Sequence, residues 1–132
     1  MRKSVLSFLR RSGVQLPEKR ALNSLLKLSY LTEAQLEALL IELGSANLGR
    51  RLTFEEKAEI RGVSKGAYAR TLRQAIENIK RSIYTIFLLE YLGVLGEEAL
   101  SAILEAANLL KRGRVDESVR LISDVMPRDI TA

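Results

Sequence analysis

Apolar side chains recur along the chain at the three- and four-residue spacing of an amphipathic helix. The clearest segment begins at Ser64 and extends to about residue 92, with Tyr68, Leu72 and Ala75 on one stripe. No strand-like alternation persists beyond a few residues, and the two prolines, Pro17 and Pro127, lie near the ends. The pattern therefore predicts an all-α fold.

Capping residues and glycines set the expected helix ends. Two short helices are predicted over 4–11 and 18–30. Thr32 then starts a helix that we expect to end at Gly44, with Leu36, Leu39, Leu40 and Leu43 as its apolar stripe. Thr53, with Glu56 three residues later, starts a short helix over 54–61. After the long helix, residues 97–110 and 115–125 are predicted to form a helical hairpin.

The composition excludes several kinds of chemistry. The 132 residues include no Cys and no His, so thiol chemistry, disulfides and imidazole ligands are ruled out. Any metal would have to be held by oxygen ligands alone, and we expect no metal site, no cofactor and no enzymatic activity. The longest apolar stretch, residues 83–95, is too short for a membrane span, which needs about 20 residues. With no secretory signal evident, a cytoplasmic protein without membrane contact is expected. The lack of Trp and the abundant charge are typical of proteins from hot environments.

Basic side chains are concentrated in two regions. The formal net charge is +5, and residues 1–31 carry seven Lys or Arg against one acidic residue. Residues 50–81 carry nine against four. A polyanionic partner would suit this distribution. The N-terminal basic side chains, Arg2, Lys3, Arg10, Arg11, Lys19 and Arg20, could touch flanking DNA or form a solvated helix face.

The residues between the short and the long helix suit a tight turn. Ala58 is small enough for two helices to touch there, and Gly62 allows a left-handed backbone in the turn. Val63 can fill the turn, and Ser64 can cap the second helix. The segment thus predicts a helix, a tight turn and a long second helix.

The chain here resembles helix-turn-helix transcription factors of the type found in region four of bacterial sigma factors and in archaeal Tfx-like proteins. The resemblance is carried by LTEAQLEAL at 31–39, EEKAEIRGVS at 55–64 and RQAIENIK at 73–80. It departs from the family at Lys57 and Arg61, where apolar residues are usual. The resemblance covers about residues 31–82 and implies a helix-turn-helix core, which with its long recognition helix is expected over 32–92. The helical pattern and the charge add basic N-terminal helices over 1–31 and a C-terminal hairpin over 93–132, all in one compact unit.

The resemblance also implies a DNA-binding surface, because the second helix of such proteins enters the major groove by its first turns. The residues expected to face DNA are Arg50, Arg51, Ser64, Lys65, Gly66, Ala67, Arg70 and Arg73. Arg70 and Arg73 share a helix face and can each contact guanine, whereas Lys65 would hold phosphate. Gly66 either permits close approach of DNA or is merely tolerated near a helix end.

Residues 82–96 are apolar nearly all round, so this part of the long helix should be buried on more than one side. Either the terminal helices of the same chain wrap it, or it forms the seam of a homodimer. The expected seam consists of Ile83, Ile86, Phe87, Leu88 and Tyr91. A two-fold dimer would present two recognition helices about one DNA turn apart, roughly 34 Å.

The leading hypothesis is therefore a sequence-specific regulator that binds double-stranded DNA as a homodimer. The alternative is a helical adaptor whose degenerate helix-turn-helix binds another protein in a transcription or replication complex. Glu55, Glu56 and Glu59 are typical of acids in a first helical turn rather than of a catalytic pair.

Overall fold

The computed structural model describes residues 1–125, and within that range its regular structure consists of seven α-helices without a strand. The predicted all-α fold is confirmed. The last seven residues of the predicted C-terminal segment, 126–132, lie outside the described residues. The helices are α1 (Lys3–Arg11), α2 (Lys19–Leu28), α3 (Glu33–Asn47), α4 (Phe54–Arg61), α5 (Lys65–Tyr91), α6 (Glu98–Lys111) and α7 (Val115–Val125).

The chain divides into two compact units, and the boundary between Lys80 and Arg81 falls inside α5. The first unit, Met1–Lys80, is built around an apolar core to which α1, α3, α4 and the start of α5 contribute. Its fully buried members are Val5, Phe8, Leu9, Ala38, Ile41, Leu52, Ala58, Tyr68 and Leu72. By contrast, no residue of α2 is fully buried.

Gly44 does not end α3, and the predicted boundary there is wrong. The helix continues to Asn47, and the chain takes a left-handed conformation only at Gly49, where φ is +71°. A Cβ atom at position 44 would lie 2.6 Å from both Phe8 Cε2 and Ser12 Oγ. Gly44 therefore allows α1 and α3 to pack closely, a constraint that acts between helices and not within α3.

The most enclosed face of α3 also differs from the predicted leucine stripe. Ala38, Ile41, Gly44 and Ser45 are buried, together with the charged Glu37. The leucines of the stripe are only half-buried, and Leu43 is 50% exposed. Gly44 faces Phe8 and Ser12 of α1, where close helix packing leaves no room for leucine.

The second unit contains the hairpin of α6 and α7, which begins and ends within a residue or so of the prediction. Ala99, Ala102 and Ala106 form its buried stripe on α6. The buried Ser118 of α7 donates its hydroxyl hydrogen to the carbonyl oxygen of Ala106 at 2.8 Å. Small side chains thus allow the two helices to approach closely.

Candidate nucleic-acid interface

The turn between α4 and α5 is set by Gly62, which has φ +79° and ψ +33°. Its N–H donates to the carbonyl oxygens of Ala58 and Glu59, and the N–H of Val63 donates to that of Ala58 at 3.0 Å. These bonds satisfy carbonyl groups that the end of α4 would otherwise leave unpaired. At the next helix, the Ser64 hydroxyl accepts from the N–H of Ala67 at 3.2 Å. The predicted turn and cap are therefore present.

Tyr68 joins the start of α5 to α3. The side chain is fully buried, and its hydroxyl donates to a carboxylate oxygen of Glu42 at 2.6 Å. Burial raises the pKa of the Tyr68 phenol, and the hydrogen bond to Glu42 and its negative charge raise it further. The ring of Phe54 on α4 lies edge-on to the Tyr68 ring, with centroids 5.9 Å apart. Three helices thus meet at this tyrosine.

Lys57 and Arg61, which occupy positions that are usually apolar in the resembled family, are both buried with 8% exposure. Each has an acidic partner on α3. Lys57 Nζ lies 3.0 Å from Glu42 Oε1, and Arg61 Nε lies 3.4 Å from Glu37 Oε1. Two ion pairs therefore link α3 and α4.

Arg2 completes the contact around Glu37. Its backbone N–H donates to Glu37 Oε2 at 2.9 Å, and its guanidinium donates to the carbonyl oxygen of Arg61. The same guanidinium lies 3.5 Å from the carbonyl oxygen of Gly62. A side chain that sequence reasoning associated with flanking DNA is thus engaged with the end of α4.

The outward face of α5 lies opposite the buried Tyr68, Leu72 and Ala75. At about 100° per residue, positions 66, 70, 73 and 77 point away from that buried stripe. Gly66, Arg70 and Arg73 are all exposed, and open space surrounds the Cα of Gly66.

Two predicted phosphate contacts are paired with carboxylates in the free protein. Lys65 Nζ lies 3.0 Å from Glu55 Oε1, and Arg50 Nη1 lies 3.4 Å from Glu56 Oε2. The hydrogen bond from Lys65 lowers the pKa of Glu55. All four side chains are substantially exposed, so each pair contributes little to stability and can exchange its partner.

The structure brings the predicted residues of α5 together on the first three turns of one helix. Arg50, Arg51, Ser64, Lys65, Gly66, Arg70 and Arg73 are exposed, and Ala67 is half-buried. Sequence reasoning missed Glu37 and Glu42, the partners of the buried cations. The only local signal was that both carboxylates lie on a helix otherwise rich in apolar residues.

The predicted dimer residues lie on the C-terminal half of α5. Ile86 is half-buried, whereas Ile83, Phe87, Leu88 and Tyr91 are exposed. Phe87 is 58% exposed and Tyr91 88%, and the Phe87 ring has an edge-on contact with Tyr84 at 6.2 Å. Within residues 1–125, these side chains of α5 therefore leave much apolar surface in contact with solvent.

No protein-family model, curated protein or solved structure matches the chain. Among residues 1–125, no group of acidic side chains is arranged to hold a metal ion, and no helix is long and apolar enough to cross a bilayer.

Proposed function

We propose that this protein binds double-stranded DNA in a sequence-specific manner and acts as a transcriptional regulator, with no catalytic step of its own. The first turns of α5 would enter the major groove. The observation that carries the proposal is the exposed face of Gly66, Arg70 and Arg73, which directly follows the Gly62 turn and lies opposite the buried Tyr68. Groove binding requires a helix that is packed against the protein on one face and exposed on the opposite face.

Arg70 and Arg73 would supply base recognition. They lie three residues apart on one face, and each guanidinium can donate two parallel hydrogen bonds to a guanine. A well-placed contact of this kind contributes about 1–3 kcal/mol of discrimination against the wrong base. Gly66, one turn before Arg70, would let the backbone of α5 approach the edge of the groove.

Backbone phosphates would be bound by the side chains that flank the turn. The backbone N–H groups in the first turn of a helix can bind an anion, and α5 would use its own in this way. One of them, the N–H of Ala67, already donates to the Ser64 hydroxyl. Lys65 and Arg50 would exchange Glu55 and Glu56 for phosphate, and Arg51 would extend the contact. Because the existing pairs are exposed, this exchange costs little.

A homodimer is part of the proposal. The exposed apolar side chains of α5, Ile83, Phe87, Leu88 and Tyr91 together with the half-buried Ile86, support a second copy as the cover for this face. Large aromatic residues contribute 150–250 Å² each when buried, and about 800 Å² per partner is typical of a stable interface. Sedimentation in solution tests this part: a monomer at tens of micromolar would contradict it.

The alternative function, a helical adaptor that binds another protein, is favoured by the same apolar face. Salt separates the two functions. A DNA binder that makes several phosphate contacts loses affinity steeply as salt rises, because bound counterions are released. The first experiment is selection from random duplexes, followed by titration of the selected duplex at several salt concentrations. If the parent protein binds no duplex, the proposal fails and the adaptor is favoured.

Two variants then test the groove assignment. Arg70→Ala should reduce the discrimination between bases by about 1–3 kcal/mol. Lys65→Ala should weaken binding to all duplex sequences by a similar factor. Arg120→Ala, an exposed arginine of α7, is the control for loss of one positive charge. If Arg70→Ala and Arg120→Ala have the same base preference, recognition of bases by α5 is contradicted.

Gly66→Ala provides a test in which stability and binding should change in opposite directions. Open space surrounds a Cβ at this position, so alanine should stabilise the helix by about 0.5–1 kcal/mol. If DNA approaches the backbone there, the same variant should bind the selected duplex more weakly. Unchanged affinity in the stabilised variant would show that Gly66 does not face the groove.

A further inference from the structure

The first unit contains a cavity between α2 and the helices beneath it, and this cavity is partly open to solvent, because every residue of its lining is half-buried or exposed. The cavity has a volume of about 190 Å³. Its walls are mostly aliphatic, formed by Leu6, Leu16, Leu22, Leu26 and Leu36 with Pro17 at one side. These leucines are half-buried because one side of each faces the empty space.

The helix on one side of the cavity, α2, contributes little to the core of the first unit. No residue of α2 is fully buried, whereas α1 and α3 each bury several side chains in the core. Leu22 and Leu26 face the cavity from α2 and lie one helical turn apart. The two leucines therefore lack close-packed partner atoms on that side, and this lost dispersion energy is available to any molecule that fits.

Water is a poor occupant of this space. A buried water needs two to four polar partners, and the polar side chains of the lining are Lys19, Asn23 and Glu33. The Glu33 carboxylate is already paired with the α-ammonium group of Met1 at 2.6 Å, and this ammonium lowers the Glu33 pKa. Asn23 and Lys19 are exposed, so they can meet one polar substituent of a bound molecule.

We propose that this cavity is a binding site for a small apolar molecule, an aromatic ring or a compact branched hydrocarbon with at most one polar group. A volume of about 150 Å³ holds benzene in an apolar cavity of another protein, so 190 Å³ suffices for a ring with a small substituent. The polar group would face Asn23 and Lys19. The site shares no residue with the proposed DNA surface, so either proposal can fail while the other stands.

Toluene is a suitable probe, because it matches the volume and carries no charge. The melting temperature of the full chain should rise with the logarithm of toluene concentration above the dissociation constant. In NMR spectra of the parent protein, the toluene protons should show nuclear Overhauser effects to the methyl groups of Leu22, Leu26 and Leu36. Effects confined to the exposed Phe87 and Tyr91 of α5 would mean non-specific adsorption and would overturn the proposal.

A matched pair of variants on α2 gives the second test. Leu22→Phe fills the cavity and should abolish the toluene-dependent rise, whereas Leu28→Phe, at a position outside the lining, should keep it. Leu26→Phe is the substitute if the first variant does not fold. An unchanged rise when the cavity is filled, or no saturable rise in the parent, would overturn the proposal.

Discussion

The ion pair between Glu37 on α3 and Arg61 on α4 allows a quantitative prediction. The Glu37 side chain is 3% exposed, and its Oε1 lies 3.4 Å from Arg61 Nε. At an effective dielectric constant of about 20, opposite charges at this distance attract by about 5 kcal/mol. Removing the charges from water costs a similar amount, so the intact pair adds little net stability. Removal of one partner leaves the other charge buried and unpaired.

Glu37→Gln should therefore destabilise the first unit by about 3–5 kcal/mol. Arg61 would retain a positive charge in a site that lacks a compensating carboxylate. The double variant Glu37→Leu/Arg61→Leu removes both charges and should lie within about 1 kcal/mol of the parent, because apolar replacements of a buried pair are often neutral. The double variant is thus expected to be far more stable than either single variant.

Native-state hydrogen exchange is the appropriate assay because it reports on the first unit alone. Amide protons of Ile41 and Leu72 in the core should exchange roughly 10²- to 10⁴-fold faster in Glu37→Gln. Glu59→Gln, the same change at an exposed position of α4, serves as the control and should stay within about 0.5 kcal/mol of the parent. Equal effects of the two glutamine variants, or additive losses in the leucine double variant, would refute the reasoning.

Three further predictions concern the turn and its surroundings. Gly62→Ala should destabilise the first unit by about 1–2 kcal/mol in urea unfolding, because φ is +79° there; an unchanged midpoint would contradict the left-handed turn. The raised pKa of Tyr68 means that the folded state keeps its proton where the unfolded state, with a pKa of about 10, loses it. Stability should therefore fall as pH rises above 10, and this slope should be smaller in Tyr68→Phe. Glu55→Gln should release Lys65 and strengthen binding to any duplex at low salt; unchanged affinity would argue against a phosphate contact by Lys65.

Local signals in the sequence were sufficient to predict the helices and most of their ends. Thr32 and Thr53 form the expected capping boxes, and Gly62 ends α4 in a left-handed conformation. Each signal acts within a few residues, so no knowledge of the tertiary structure was needed. The same rule failed at Gly44, because the reason for that glycine is Phe8 on another helix.

For the candidate site, the sequence indicated the exposed face of α5 but not the ion pairs that link α4 to α3. The exposed face of α5 follows from helical periodicity once Tyr68 is assigned to the core. The roles of Lys57 and Arg61 could not be predicted, since their partners Glu42 and Glu37 lie 15 and 24 residues earlier in the chain. Periodicity alone cannot indicate that a charged side chain points inward, because burial of the charge depends on a distant carboxylate.

The charged contact between α3 and α4 has a consequence for how this sequence can diverge. Replacement of Arg61 by leucine would leave the Glu37 carboxylate buried without its ion-pair partner, and loss of Glu37 first would leave the Arg61 charge unpaired in the same way. Exchange between the ionic and the apolar version of this turn therefore requires two nearly simultaneous substitutions. Homologous chains should therefore hold either both charges or neither.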